Sequence, residues 1–146
     1  MNIFTKLFGW LLTSKFPVRA LGKEDKLAVD FFYALVQRES KGDMPFVFFK
    51  IPNDIYMSSK GGQLFGQKLK HMWKMAGVPD YMFVSPKYSF FIELKSEKGS
   101  LSEAKKVFKE WSEGKGVAVY VCKSVGHAMS VIDENREKIG GESNEA

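Results

Sequence analysis

The sequence predicts an α/β fold, a mixed β-sheet flanked by helices, and three observations carry that expectation. Segments of helical period alternate with short apolar or aromatic runs of strand length. Two of those runs, 80–84 and 88–94, flank Ser85-Pro86-Lys87 and read as a hairpin. A helix and then a β-rich run follow the hairpin, which is the order of a strand returning parallel to its predecessor by a crossover.

The first element is an N-terminal amphipathic helical segment, 1–20, with Ile3, Phe4, Leu7, Phe8, Leu11 and Leu12 at near-helical spacing and Trp10 beside them. Its apolar run, Leu7 to Leu12, is interrupted by Gly9 and far shorter than the roughly 20 residues a bilayer crossing needs. No stable membrane insertion is expected. The run is also short for a signal-peptide core, and Lys15, Pro17 and Arg19 crowd the approach to a small-residue cut at Ala20. A packing or partner-docking helix is the leading reading, with a membrane-surface helix or cleaved signal as the alternative.

The main domain is expected over 21–138. Glu24 to Glu39 has helical period, with Leu27, Phe31 and Leu35 on one side. Ser40-Lys41-Gly42-Asp43 breaks it, Phe46 to Ile51 reads as a strand, and Pro52-Asn53-Asp54 ends that strand. Gly61-Gly62 then opens a helical insertion, Gln63 to Ala76, whose apolar side is Leu64, Phe65, Leu69, Met72, Trp73 and Met75; Gly77 and Pro79 stop it ahead of the hairpin. Ser102 is a good N-cap for a helix to about Glu113, with Val107, Phe108 and Trp111 as the expected buried stripe. After Gly114-Lys115-Gly116, Val117 to Cys122 reads as a strand buried on both faces. Val125 to Lys138 is the last helix, and 139–146 an acidic tail.

A chain of 146 residues with 45% hydrophobic and 14% aromatic content supports one compact domain, and 27% charged residues place it far from disordered compositions. The single cysteine, Cys122, excludes an internal disulfide and any Cys-cluster metal site, which fits an intracellular, reducing, cytoplasmic setting. Lysine and arginine number 22 against 17 acids, a net charge of +5 that favours anionic partners. The excess is local. Between Ile55 and Pro79, Lys60, Lys68, Lys70 and Lys74 meet no carboxylate, whereas from Asp133 onward five acids face only Arg136 and Lys138. Those four lysines read as a phosphate-contacting surface, or else as a solvated helix face. His71 and His127 lack metal-ligand spacing and read as structural; Trp73 and Trp111 read as core. A G-x-S-x-G elbow, a phosphate-binding Gly-Lys-Ser/Thr loop and a Cys-His nucleophile pair are all missing from the sequence.

The chemistry-bearing residues lie on the hairpin. Glu93 and Lys95 are two apart on a strand and leave the same face of the sheet, at the end of the apolar run Phe90-Phe91-Ile92. With the turn centred on Pro86 and Lys87, opposed positions sum to 173, so Val84 meets Ser89 and Asp80 meets Glu93. Two carboxylates about 4.5–5.5 Å apart at Cβ repel unless a cation lies between them. Oxygen donors of this kind suit Mg2+ or Mn2+, and the Leu94 carbonyl at the strand end is a further candidate ligand. A lysine next to such a site can orient a water or neutralise charge developing on a phosphate, which is the chemistry of phosphodiester hydrolysis. The bland alternative is a partly exposed salt-bridge cluster of Asp80, Glu93 and Lys95.

Gly77-Val78-Pro79-Asp80 followed by Glu93-Leu94-Lys95 resembles the PD-(D/E)xK nuclease signature, and within that superfamily the small stand-alone VRR-NUC domains of viral or phage type. Ile51-Pro52-Asn53, the Gly61-Gly62 loop with its helix, Gly99-Ser100-Leu101-Ser102 and the Val117–Val121 strand with Ser124 add to the likeness, which covers roughly residues 24 to 133. The resemblance implies a restriction-endonuclease-like core, with Asp80, Glu93 and Lys95 as catalytic residues and Asp80, Glu93 and the Leu94 carbonyl as metal ligands. It also implies a carboxylate on the first helix. Glu24 lies on the side of Leu27 and Phe31 and is the candidate, its alternative role being a first-turn acid favourable to the helix dipole. One position departs from the pattern: Lys105 stands where the family usually has Gln, and a lysine there can still contact phosphate.

The leading expectation is therefore an Mg2+- or Mn2+-dependent DNA endonuclease. The resemblance further implies a homodimer acting on branched DNA such as a Holliday junction, and the apolar segment Ile3 to Leu12 and the aromatic-rich insertion could build a twofold interface. The alternative is a catalytically silent nucleic-acid-binding or protein-interaction module of the same fold.

Overall fold

A computed structural model describes residues 22–51 and 77–141. The helix expected over 24–39 forms as α1 (Lys23–Ser40), with Glu24 and Asp25 in its first turn and Arg38 in its last, each favourable to the helix dipole. Phe31, Leu35 and Val36 supply its buried side. Gly42 at φ +71° lets the chain reverse, and the Asp43 N–H closes the helix end on the Arg38 carbonyl at 2.9 Å.

Four strands follow: β1 (Val47–Lys50), β2 (Tyr81–Val84), β3 (Ser89–Leu94) and, after α2 (Glu103–Glu113), β4 (Ala118–Cys122); α3 (Val125–Gly141) ends the series. They form one sheet in the order β1-β2-β3-β4, with the first two pairings antiparallel and β3–β4 parallel. The hairpin pairs Val84 with Ser89 and Tyr81 with Ile92, the register in which positions sum to 173. Ser85 fixes its turn, donating through Oγ to the Tyr88 carbonyl at 2.8 Å while accepting the Tyr88 N–H at 3.0 Å. The fold is the expected mixed sheet flanked by helices.

Alternation along β2 and β3 sends Tyr81, Phe83, Phe90, Ile92 and Leu94 toward α1 and α3, where Phe31, Leu35, Ala128, Val131 and Ile132 close the core. Phe83 and Phe90 stack with centroids 4.9 Å apart, and Phe46 meets Phe90 edge-on at 5.1 Å. Each such ring, fully buried, contributes about 1.5–3 kcal/mol. At the rim Arg38 pairs with Asp133 at 2.7 Å and with Asp43 at 3.2 Å, and Arg136 reaches Asp43 at 2.7 Å, tying α1 to α3.

The opposite face departs from the expected pattern. Of the stripe Val107, Phe108 and Trp111, only Phe108 is buried, edge-on to Phe91; Val107 is 64% and Trp111 48% exposed. Lys105, Phe108 and Ser112, spaced three and four apart, face the sheet, and Lys109 at the stripe's edge donates to the Val119 carbonyl at 3.2 Å. β4 is not buried on both faces: it pairs with β3 alone among the described residues, and Ala118, Tyr120 and Val121 are half-buried. The last helix runs past Lys138 to Gly141, and Ile139 still packs against the core.

The segment 1–20, the helix expected over 63–76, Lys60, Lys68, Lys70 and Lys74, and residues 142–146 lie outside the described residues. Among the described residues no helix is long and apolar enough to cross a membrane.

Candidate active site

Antiparallel pairing brings the start of β2 beside the end of β3. The Ile51 N–H donates to the Asp80 carbonyl at 2.8 Å, extending the β1–β2 ladder, and Asp80 Oδ2 accepts the Leu94 N–H at 2.9 Å. Asp80 is thus held from both neighbouring strands. One register step beyond Tyr81–Ile92 sets it opposite Glu93, as the hairpin arithmetic expects.

Glu93 leaves the sheet on the α2 side, two residues after Phe91, and is 1% exposed. Its Oε1 accepts hydrogen bonds from Lys95 Nζ at 3.1 Å and from Lys105 Nζ. Its Oε2 is buried with no hydrogen-bond partner among the described residues. Desolvation raises the Glu93 pKa; the Lys105 hydrogen bond works against that rise and the Asp80 charge adds to it.

Lys95 extends the parallel β3–β4 ladder, its N–H donating to the Cys122 carbonyl at 3.0 Å. Its ammonium is shared between Glu24 Oε1 at 3.0 Å and Glu93 Oε1. Burial alone would lower its pKa, but the hydrogen bonds to Glu24 and Glu93 outweigh burial and raise it, so Lys95 stays charged. Glu24, at the start of α1, therefore reaches the site through Lys95, with its own side chain half-exposed.

Lys105 comes from the first turn of α2, where Ser102 Oγ accepts its backbone N–H at 3.4 Å as the expected N-cap. The residues before Asp80 brace the same turn. Gly77 has φ +87° and lies so close to α2 that a Cβ there would stand 2.1 Å from the Ala104 carbonyl oxygen.

The structure thus brings together Asp80, Glu93, Leu94, Lys95, Glu24 and Lys105 at one end of the sheet. Sequence reasoning placed Lys105 near a phosphate but missed its ion pair with buried Glu93. The available signal was the stripe Lys105, Phe108, Ser112, which a purely apolar criterion passes over. His127 is exposed at the start of α3, its N–H on Ser124 Oγ at 3.1 Å.

The donor set fits a hard divalent cation. A buried carboxylate oxygen without a partner among the described residues, with a second carboxylate near it, is a donor pair of the kind Mg2+ or Mn2+ would stabilise. No group of three or more His, Cys, Asp or Glu side chains arranged to hold a metal is present among the described residues, and Mg2+ is commonly held by one or two carboxylates with several waters kept.

No protein-family model and no curated protein matches the chain. Among solved structures it is similar to a "VRR_NUC domain protein", with TM-score 0.55 and 19% identity over 80% of this chain and 89% of that one. A second, titled "VRR_NUC domain", aligns at TM-score 0.45 and 17% identity over 80% of this chain and 97% of the other. The chain shares the fold of the VRR_NUC domain protein, and its Asp80, Glu93 and Lys95 stand together at one end of the sheet.

Proposed function

We propose that this protein is a metal-dependent DNA endonuclease that hydrolyses phosphodiester bonds at the Asp80, Glu93 and Lys95 site. The observation that carries the reading is Glu93, a buried carboxylate with one oxygen on two lysines and the other without a partner, set opposite Asp80. A core packed for stability alone would not retain such a group, because each unsatisfied charged oxygen costs more than a neutral, apolar replacement.

Asp80 and Glu93, with the Leu94 carbonyl, would hold Mg2+ or Mn2+. The bound ion would lower the pKa of water and polarise a phosphoryl oxygen. Lys95, fixed between Glu93 and Glu24, orients the attacking water and offsets negative charge that develops on the phosphate. Glu24 serves to aim Lys95. Lys60, Lys68, Lys70, Lys74 and Lys105 would contact the DNA backbone, each duplex phosphate contact adding roughly 0.9 to the log-log salt slope. Paired sites in a homodimer would make symmetric nicks in a branched substrate such as a four-way junction.

The test is cleavage of supercoiled plasmid, linear duplex and four-way junctions with Mg2+ or Mn2+. Nicking that stops on chelation and fails in folded Glu93→Gln supports the reading, and near-wild-type nicking by that variant removes the site. A monomer in sedimentation with and without DNA, cutting junctions no faster than duplex, would remove the dimer and branched-DNA parts and leave the nuclease. Double alanine replacement among Lys60, Lys68, Lys70 and Lys74 should flatten the salt dependence of DNA affinity by roughly 1.8 if both contact phosphate; an unchanged slope returns them to a solvated face.

A further inference from the structure

We propose that Lys105 is a tethered cation that occupies Glu93 in the metal-free protein and competes with the divalent metal for it. This rests on the nuclease reading above, since it concerns how the same carboxylates take up their ion.

Two ammonium groups meet on Glu93 Oε1, and their attachments differ. Lys95 is bound at both ends of its reach. Its backbone is in the β3–β4 ladder, and its Nζ bridges Glu93 and Glu24 on two separate elements. Lys105 has Glu93 as its one ion-pair partner among the described residues, and its side chain, 20% exposed, projects from the first turn of α2 at the border of the site. It is the cation that can leave without dismantling anything else.

Charge supplies the reason for it to leave. Glu93, Asp80 and Glu24 bring three negative charges to this end of the sheet, and Lys95 and Lys105 bring two positive ones. A divalent ion on Glu93 and Asp80 would place two further positive charges within a few ångströms of the Lys105 ammonium, a repulsion that the partly buried setting screens poorly. The Lys105–Glu93 contact is therefore given up as the metal is taken up. Each cation weakens the other's hold by the same factor, because the coupling is reciprocal. The role is one of setting metal affinity and keeping a buried carboxylate paired until its ion arrives.

Calcium is the probe, since its binding can be measured without turnover. Titration calorimetry on the full chain compares the wild type with Lys105→Gln, Lys105→Met and Lys105→Arg. The expected result is about tenfold tighter Ca2+ binding in the Gln and Met variants, on the scale of one removed charge at partly screened range, with Arg close to wild type. Thermal unfolding gives the second readout. In chelator, Lys105→Met should melt below the wild type because Glu93 has lost a partner, and added Ca2+ should raise its melting temperature more than it raises that of the wild type. If Lys105→Met is too unstable to titrate, Lys105→Gln carries the comparison, since it keeps a polar donor for Glu93. Unchanged or weaker Ca2+ affinity in the folded Gln and Met variants overturns the proposal while leaving the nuclease site standing. Absence of Ca2+ binding by the wild type and every variant overturns the metal site itself, and this inference with it.

Discussion

The two faces of the sheet are built for different ends. Toward α1 and α3, Tyr81, Phe83, Phe90, Ile92 and Leu94 are all buried, and neighbouring rings stack or meet edge-on. Toward α2, among the described residues, Phe91 meets Phe108 edge-on, Glu93 is buried with its lysines, and Val47, Phe49, Val107 and Trp111 are exposed. Stability is concentrated where only apolar atoms meet. Among the described residues the charged site occupies the face with fewer ring contacts, where a carboxylate can be held at an energetic disadvantage without the core losing its closure.

That division can be broken by mutation. The largest effect is expected from Phe90→Ala, which removes a ring shared by Phe46, Phe83 and Tyr120 and should cost about 3–5 kcal/mol in denaturant unfolding. A loss under about 1 kcal/mol would mean the closed face does not carry the stability. Glu93→Gln should reverse the pattern, lowering cleavage about a thousandfold or more, equivalent to roughly 4 kcal/mol in the barrier, while its cooperative unfolding transition persists.

Alkali should then separate the faces by charge. Burial raises the Cys122 thiol from 9.0 to about 12, and burial, followed by the Asp80 charge, raises the Tyr81 phenol from 10.0 to about 12. Both groups are nearly free of solvent contact on the closed face. Above pH 9 the unfolded chain releases these protons while the folded chain keeps them. Their contribution is therefore complete below the unfolded values and is lost as pH rises toward about 12. Urea midpoints measured from pH 8 upward should fall, and Cys122→Ala should flatten part of that fall; a flat alkaline limb in the wild type would contradict it. The smallest effect belongs to the open face. Trp111→Ala gives up a tilted contact with Phe108 at 5.6 Å and a lysine over its ring, and its cost should stay under about 1 kcal/mol in the same unfolding assay.

Much of this was legible from the chain. The hairpin register followed from one turn, because side chains alternate with period two and a single opposed pair fixes every other one. Ser102 as a cap and Asp80 across from Glu93 came from the same local rules. What escaped was the inner stripe of α2. Apolar residues normally report the buried face of a helix, but here the surface beneath carries Glu93, and the residue that satisfies it is Lys105. Trp111 was assigned inward on hydrophobicity, although Ser112, whose hydroxyl donates to the Val117 carbonyl at 2.7 Å, holds the inward place. The strand Val117 to Cys122 misled for a related reason. Its unbroken β-rich run reads as doubly buried, yet four of its six residues lie at intermediate exposure in a strand paired on one side among the described residues.

Gly77 and Ile51 have a consequence for how this scaffold can be altered. The stretch between them enters beside an Ile51–Asp80 hydrogen bond and leaves through a glycine pressed against the first turn of α2. Both ends are clamped to the framework, next to the carboxylate that most needs to stay in place. The same clamp makes Gly77 itself nearly irreplaceable, since any side chain there would wedge α2 away from the sheet.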